Sequence, residues 1–298
     1  MKNTTLGFLF ASGAALFYGF MPAITQLAYG AGAAVNTVVA GKYTVGVLMI
    51  WGFILITKKP WRIGRSQAIH LQITGVASIV TVNLMAISYL YLPGAICSLL
   101  TFLYVPIVNV CEMIMGRVRL TAMRIVCVVL ALVGLVAVVY TPSGGSALNP
   151  LGLVIGAGAG VAYAVWTIRM GSPKVKSVGA EAMMGYIFLI PAGVTIIRCI
   201  AEGDALLPAG GKQWLFILLL GVCDGFLAPV FFAAAIKLTS ASNASMVDTS
   251  EPLIAYFAGI VLMHDVISIN AIFGGILIIA GILLLNISER RDARKQLS

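Results

Sequence analysis

The stretch LGFLFASGAALFYG at residues 6–19 returns as LGLVIGAGAGVAYA at residues 151–164. An offset of 145 lays Leu6-Gly7 on Leu151-Gly152, Gly13-Ala14 on Gly158-Ala159 and Tyr18 on Tyr163. At 146, Gly75 meets Gly221 and Pro106 meets Pro252; at 147, Gly134 meets Gly281. Single matches of Gly and Ala are common in apolar sequence. An offset that drifts by only two residues over four segments is not. It predicts a duplicated chain, with a first unit over 1–145 and a second over 146–298.

The composition fixes the solvent of both units. Of the 298 residues 60% are hydrophobic and 10% charged, with a mean hydropathy of +1.04. A soluble domain carries about 25% charged residues. So little charge cannot cover a globule, and so much apolar content excludes a disordered chain. A helix crosses a bilayer with about 20 apolar residues. The apolar runs predict ten such helices, near 5–27, 35–57, 69–91, 94–115, 121–140, 150–169, 179–200, 213–237, 242–263 and 268–288. The thinnest division is Leu92-Pro93-Gly94, between the third and fourth. The runs are continuous, not alternating, which excludes a β-barrel. Residues 6–27 are too long for a signal-peptide core and follow only Lys2, so they read as the first span.

The expected fold is therefore an all-α membrane protein of ten transmembrane helices, arranged as two inverted five-helix repeats. Inversion follows from the odd number: after five crossings the second unit enters from the opposite side. Inverted repeats around a site at the midplane are the architecture of alternating-access transporters. The repeat thus points to solute translocation more than to an intramembrane enzyme or a channel.

Basic residues set the orientation. With the N-terminus inside, sixteen of the nineteen Lys and Arg fall on the inner side, from Lys2 through Lys58, Lys59, Arg62 and Arg65 to the tail. Arg198 and Lys212 fall outside, and Lys42 lies within a span. This is a strong positive-inside bias. It predicts a multi-pass protein of the cell (inner) membrane with both termini cytoplasmic. The net charge of +9 then reflects topology, not nucleic acid. The tail after Ser288 reads as a stop anchor attracted to phospholipid. The five cysteines lie in apolar runs without metal-ligand spacing and read as buried, inert thiols.

Four segments together are similar to one family. Leu6-Gly7 with Leu16-Phe17-Tyr18-Gly19-Phe20-Met21-Pro22 resembles the first span of the EamA-type branch of the drug/metabolite transporter superfamily. Ala40-Gly41-Lys42-Tyr43 resembles its second span, with Lys42 where Arg is usual. Gly160-Val161-Ala162-Tyr163-Ala164-Val165-Trp166 resembles the start of its second repeat. Thr249-Ser250-Glu251-Pro252-Leu253, followed by residues 274–281, resembles its most recognisable stretch. The resemblance implies five plus five spans, a cavity from spans one, three, four, six, eight and nine, and export of amino acids or related metabolites, sometimes drugs. It departs where an acidic residue is frequent: His264-Asp265 follows the ninth span and Gly116-Arg117 the fourth.

Ionisable groups deep in a bilayer cost at least ~2.5–3.5 kcal/mol each and need partners or a function. Lys42, Asp224, Asp248 and Glu251 sit well inside spans. At most one of the three acids is neutralised by Lys42; a proton, water or a cationic solute must serve the others. Lys42 reads either as a fixed countercharge or as a chain that snorkels outward. Glu251 either faces a cavity or satisfies backbone freed at Pro252. Pro106 and Pro252 read as paired hinges or as static kinks, and Pro191 and Pro229 kink spans seven and eight. Tyr18, Tyr104, Tyr163 and Trp166 are candidate cavity rings that could stack on a solute or hold an ammonium; packing is the competing reading. Asn83 and Asn109 are mid-span polar groups, read as helix glue or, for Asn83, as a site residue. Glu112 with Arg117 reads as an interfacial pair. The candidate substrate site is thus Tyr18, Lys42, Asn83, Tyr104, Tyr163, Trp166, Asp224, Asp248 and Glu251. The partners implied are a small-molecule substrate, membrane lipid and a coupled proton, with no nucleic acid and no cofactor, in a monomer or homodimer. Organic cations or phosphorylated metabolites are the alternative solutes.

Overall fold

The computed structural model describes residues 2–88, 91–92, 97, 100–118, 121–139, 149–263 and 269–295. Among them there is no strand. Backbone in hydrocarbon must satisfy its own polar groups, so each apolar run closes into a helix. The helices are α1 (Lys2–Gly30), α2 (Val35–Ile56), α3 (Arg65–Ser88), α4 (Tyr104–Ile114), α5 (Ala122–Val139), α6 (Pro150–Met170), α7 (Ala180–Ala201), α8 (Gly211–Leu238), α9 (Ala241–Asp248 and Glu251–Met263) and α10 (Ile269–Lys295). Six of these, α1, α2, α3, α6, α7 and α8, are long and apolar enough to span a membrane. Tyr104–Ile114, Ala122–Ala137 and Ile272–Leu285 are shorter apolar stretches within α4, α5 and α10. His264-Asp265 and Pro93-Gly94 lie outside the described residues, as do the side chains of the basic tail.

Local sequence sets the helix starts. Asn149 accepts from the Leu151 N–H at 2.9 Å, and Pro150, lacking a donor, occupies the first turn of α6. Ser240 does the same for α9, accepting from Asn243 N–H at 3.0 Å.

The packing exchanges under the sequence offset. α3 lies along α6 as α8 lies along α1; α4 meets α6 as α9 meets α1; α5 pairs with α10, and α2 with α7. The match extends to single glycines. Gly7 abuts Leu238 and Thr239, and Gly152 abuts Tyr91 and Leu92. Gly134 sits on Gly274 and Ile278, and Gly281 on Cys127 and Ala131. Each contact is carried onto its twin by the offset of 145 to 147 read from the sequence.

Prolines decide where the helices break. Pro106 has no N–H for the carbonyl of Phe102, which instead takes Val105 N–H at 3.0 Å, so α4 starts after a turn at Phe102 and Leu103. Pro252 interrupts α9 in the same way at Thr249 and Ser250. There the hydroxyls close the ladder: Thr249 donates to Met246 O at 2.6 Å and Ser250 to Val247 O at 2.8 Å. α7 is interrupted at Phe188, three residues before Pro191. α8 contains a π turn, Cys223–Leu227, just before Pro229. Such bulges concentrate at functional sites.

Polar contacts tie the two ends of the bundle. At one end Lys59 pairs with Glu181, Lys237 donates to Val178 O, and Gln67 donates to Lys174 O at 3.1 Å. At the other, Asn36 donates to Glu202 at 2.6 Å and Asp204 at 2.7 Å, and Gln213 donates to Ala31 O at 3.1 Å. The hydrogen bonds from Arg198 and Asn36 hold the Glu202 carboxyl below the usual range.

The tightest seam joins α2 to α8. A Cβ on Gly46 would stand 2.5 Å from Gly225 O, and one on Gly225 would stand 2.6 Å from Lys42 O. Both obstacles are backbone and cannot swing aside. Gly52, in the same helix as Gly46, faces open space. Gly46→Ala should therefore lower stability by about 1–3 kcal/mol, the scale of overpacking. Gly52→Ala should be neutral or stabilising, since Ala favours helix by about 1 kcal/mol. Thermal midpoints of the two variants in detergent check this.

Candidate functional site at the helix breaks

The α2–α8 seam positions an ion pair. Lys42 lies one turn before Gly46, and Asp224 occupies the π turn beside Gly225. Gly41 fits under Ile217, and Gly221 under Val45. With the backbones this close, Lys42 Nζ reaches Asp224 Oδ2 at 2.5 Å. The side chains are 16% and 7% exposed. The ammonium also lies 4.0 Å from Met21 Sδ and 5.1 Å from the Tyr43 ring centre. Lys42 is thus a countercharge, not a snorkelling chain.

A second hydrogen bond joins the two broken helices. Tyr104, the first residue of α4 after its break, donates from Oη to Asp248 Oδ2 at 2.5 Å. Asp248 ends the first piece of α9 and is fully buried. Its Oδ1 has no hydrogen-bond partner among the described residues. Gly160 lets α6 approach α4 here, facing the Leu100 and Thr101 carbonyls. That approach stacks Tyr163 on Tyr104 with centroids 4.1 Å apart. Trp166 follows at 5.2 Å from Tyr163 and stacks on Phe232 at 5.8 Å. The buried Trp166 Nε1–H has no acceptor among the described residues.

Glu251 begins the second piece of α9. It is half-buried and makes no hydrogen bond among the described residues. The hydroxyls of Thr249 and Ser250, not Glu251, satisfy the backbone at the kink. The spacing of three would put Asp248 and Glu251 on one helix face, but the break falls between them. Gly19, against Ile254 and the Glu251 carbonyl, brings α1 alongside. Tyr18 therefore lies within electrostatic reach of Asp224, Asp248, Glu251 and Tyr43, and Tyr163 within reach of the same three acids.

The structure thus brings together Tyr18, Lys42, Tyr104, Tyr163, Trp166, Asp224, Asp248 and Glu251, with Pro106 and Pro252 at the helix breaks beside Tyr104 and Asp248. Asn83 lies apart: it donates to Ile79 O at 2.8 Å and accepts from Arg198 at 3.3 Å. Tyr43, buried beside Lys42, joins the group; its signal was adjacency to that lysine. Glu112 pairs with Arg117 as the sequence suggested, at 3.2 Å. It is 1% exposed, and it also accepts from Ser242 N–H, at the start of α9, at 3.2 Å. Ser242 donates to Asn109 at 2.5 Å, and Arg124 donates to Ser242 and Asn243. Asn109 thus joins two helices, as its mid-span position suggested, while its partner on the other helix had no sequence signal.

Residues 150–287 match the EamA-like transporter family. The chain carries an EamA-like transporter domain. That family is one of membrane transporters, not enzymes, and the chain is a multi-pass membrane protein. A search of curated proteins returns no match. A solved crystal structure of a protein superposes on this chain with a TM-score of 0.81, at 16% identity, over 95% of this chain and 98% of its own length. At that identity the likeness is one of fold. The EamA-like domain supplies Tyr163, Trp166, Asp224, Asp248 and Glu251 to the cluster. Tyr18, Lys42 and Tyr104 come from the residues before it, so the site is assembled from both halves of the chain.

The Lys42–Asp224 pair has a testable energetic signature. Removing one partner of a buried pair costs about 3–5 kcal/mol, whereas replacing both by apolar groups is near neutral. Lys42→Met should thus destabilise strongly, and Lys42→Met with Asp224→Leu should recover most of the loss. Thermal midpoints of the three proteins in one detergent give the coupling.

Proposed function

We propose that the protein is a secondary transporter. It moves small amino-acid-like or amphiphilic metabolites across the cell membrane by alternating access, in the direction of export. One observation carries this reading: after Lys42 is taken by Asp224, two carboxylates, Asp248 and Glu251, flank the α9 break without a cation. A solute ammonium supplies the missing charge. The packed rings of Tyr104, Tyr163 and Trp166 form an apolar wall beside Asp248 that suits the side chain of the same solute. Discontinuous helices at the interface of two repeats are where transporters place such sites.

The two repeats rock about this site, with the breaks before Pro106 and Pro252 as hinges. A proton on Asp248 or Glu251 replaces the solute cation on the return step, which couples flux to the proton gradient. Both termini face the cytoplasm, and the working unit is a monomer or homodimer. Organic cations are the nearest alternative cargo, since they satisfy the same two acids. Phosphorylated metabolites fit less well, because the one deep cation is already paired.

Purified protein in liposomes, loaded with labelled amino acids and amines, should show efflux that depends on a pH gradient. Asp248→Asn or Glu251→Gln should cut the rate at least about tenfold while leaving insertion intact, the loss expected for a hydrogen-bonded charged contact. No flux above empty liposomes across a broad panel, or unchanged flux in both variants, overturns this reading.

A further inference from the structure

Beyond the π turn that carries Asp224, the bundle has a second concave feature. α1 and α2 are consecutive but scarcely touch each other. Each packs instead on α8, and the space between them forms a cavity of about 250 Å³. Its walls include Phe10, Phe53, Phe226, Phe231 and Ala234, and Glu181 is the one charged group in its lining. The rings are half-buried and brace one another, Phe10 against Phe231 at 5.2 Å and Phe53 against Phe226 at 5.7 Å. Gly13 makes room for the Phe231 ring, since a Cβ there would stand 2.8 Å from it. The furrow runs from the π turn, near the middle of α8, to the bundle end where Glu181 begins α7.

The mouth of this furrow is basic. Lys59 pairs with Glu181 and lies over the Phe53 ring at 5.0 Å. Lys58, Arg62 and Arg65 follow in the same α2–α3 connection, and all four are exposed. Against them stands the single Glu181 carboxylate. Arg62 lies over the Trp61 ring at 5.7 Å, and Trp61 meets Trp51, which in turn meets Tyr186. Such an aromatic group marks the headgroup level of a bilayer.

We propose that this furrow binds one acyl chain of an anionic phospholipid, with the lipid phosphate held at its mouth by Lys59. Three features argue for that occupant. The walls are apolar and lie between helices at hydrocarbon depth, where a lipid chain is the surrounding medium. At about 30 Å³ per water-sized group, the volume takes roughly eight methylenes. The excess of cationic groups at the rim complements a phosphate, and basic pockets between transmembrane helices bind anionic headgroups. Lys59 has three donor positions, so it can hold Glu181 and a phosphate oxygen together. The lipid then fills the gap between α1 and α2 and wedges α1 against α8. This site shares no residue with the proposed transport site.

The test is lipid binding, read without any transport assay. Native mass spectrometry of the purified full-length protein, titrated with phosphatidylglycerol, should show one tight adduct. Phosphatidylcholine of the same chains should bind at least about tenfold more weakly. Lys59→Gln should weaken the phosphatidylglycerol adduct roughly fivefold, the scale of one basic group at an anionic surface. Ala234→Phe, which fills the furrow and leaves the rim charges, should also remove the tight adduct. In the wild-type protein, brominated-chain phosphatidylglycerol should quench tryptophan fluorescence and saturate at one lipid per protein, an arm that needs no variant to fold. Equal binding of the two lipids, quenching that does not saturate, or an Ala234→Phe protein that keeps its tight adduct overturns the proposal.

Discussion

Two backbones meet where Gly46 of α2 faces Gly225 of α8, and the middle of the molecule depends on that contact. Neither helix can carry a side chain there, because each would strike main chain of the other. The carbonyl of Gly225 lies against Gly46 within the π turn that precedes Pro229. One turn before Gly46 stands Lys42, and one residue before Gly225 stands Asp224. Their ion pair follows from the approach of the helices. A charged pair taken out of water stabilises little by itself and is tolerated only when its geometry is good. Here the glycines supply that geometry.

Once Lys42 is committed to Asp224, the electrostatics of the remaining core are set. Asp248 and Glu251 must be served by hydroxyls, protons or something brought from outside. Tyr104 serves one oxygen of Asp248. It can do so because Pro106 starts α4 anew just before it, while Pro252 ends the first piece of α9 just after Asp248. The same deficiency in proline, a missing N–H, thus breaks two helices at matching points of the two halves. It leaves a tyrosine on one break and two acids on the other. Thr249 and Ser250 bond the Met246 and Val247 carbonyls in the turn before the break, and the Glu251 side chain takes no part in that turn. Breaking helices in a membrane costs little only when the freed groups are covered.

Much of the fold was legible in the sequence. Hydrocarbon permits few backbone solutions, so apolar run length translates almost directly into helices. The offset of 145 to 147 reappears in contacts such as Gly7 with Leu238 and Gly152 with Tyr91, since a glycine retained in both halves marks a close approach in both. Break positions were less legible: prolines announced α4 and α9, but the π turn at Cys223–Leu227 has no composition signal of its own. Of the site, the deep ionisable residues stood out because charge is scarce in these runs. Asn83 was equally visible as a mid-span polar group, yet it faces Arg198, away from the cluster. Asn109 and Glu112 were visible as polar groups, but their partner Ser242 was not, because residues more than a hundred positions apart carry no mutual period.

By itself, then, the sequence determined that this is an all-helical, multi-pass membrane protein, and which few charged and aromatic residues it holds at depth. Both are properties of local composition and of spacing along one chain. Only the tertiary structure decided who meets whom: that Lys42 belongs to Asp224, that Tyr104 belongs to Asp248, and that Glu251 is left over. Partner choice among buried charges depends on which backbones can touch, and that is a distance between helices, which no single helix encodes.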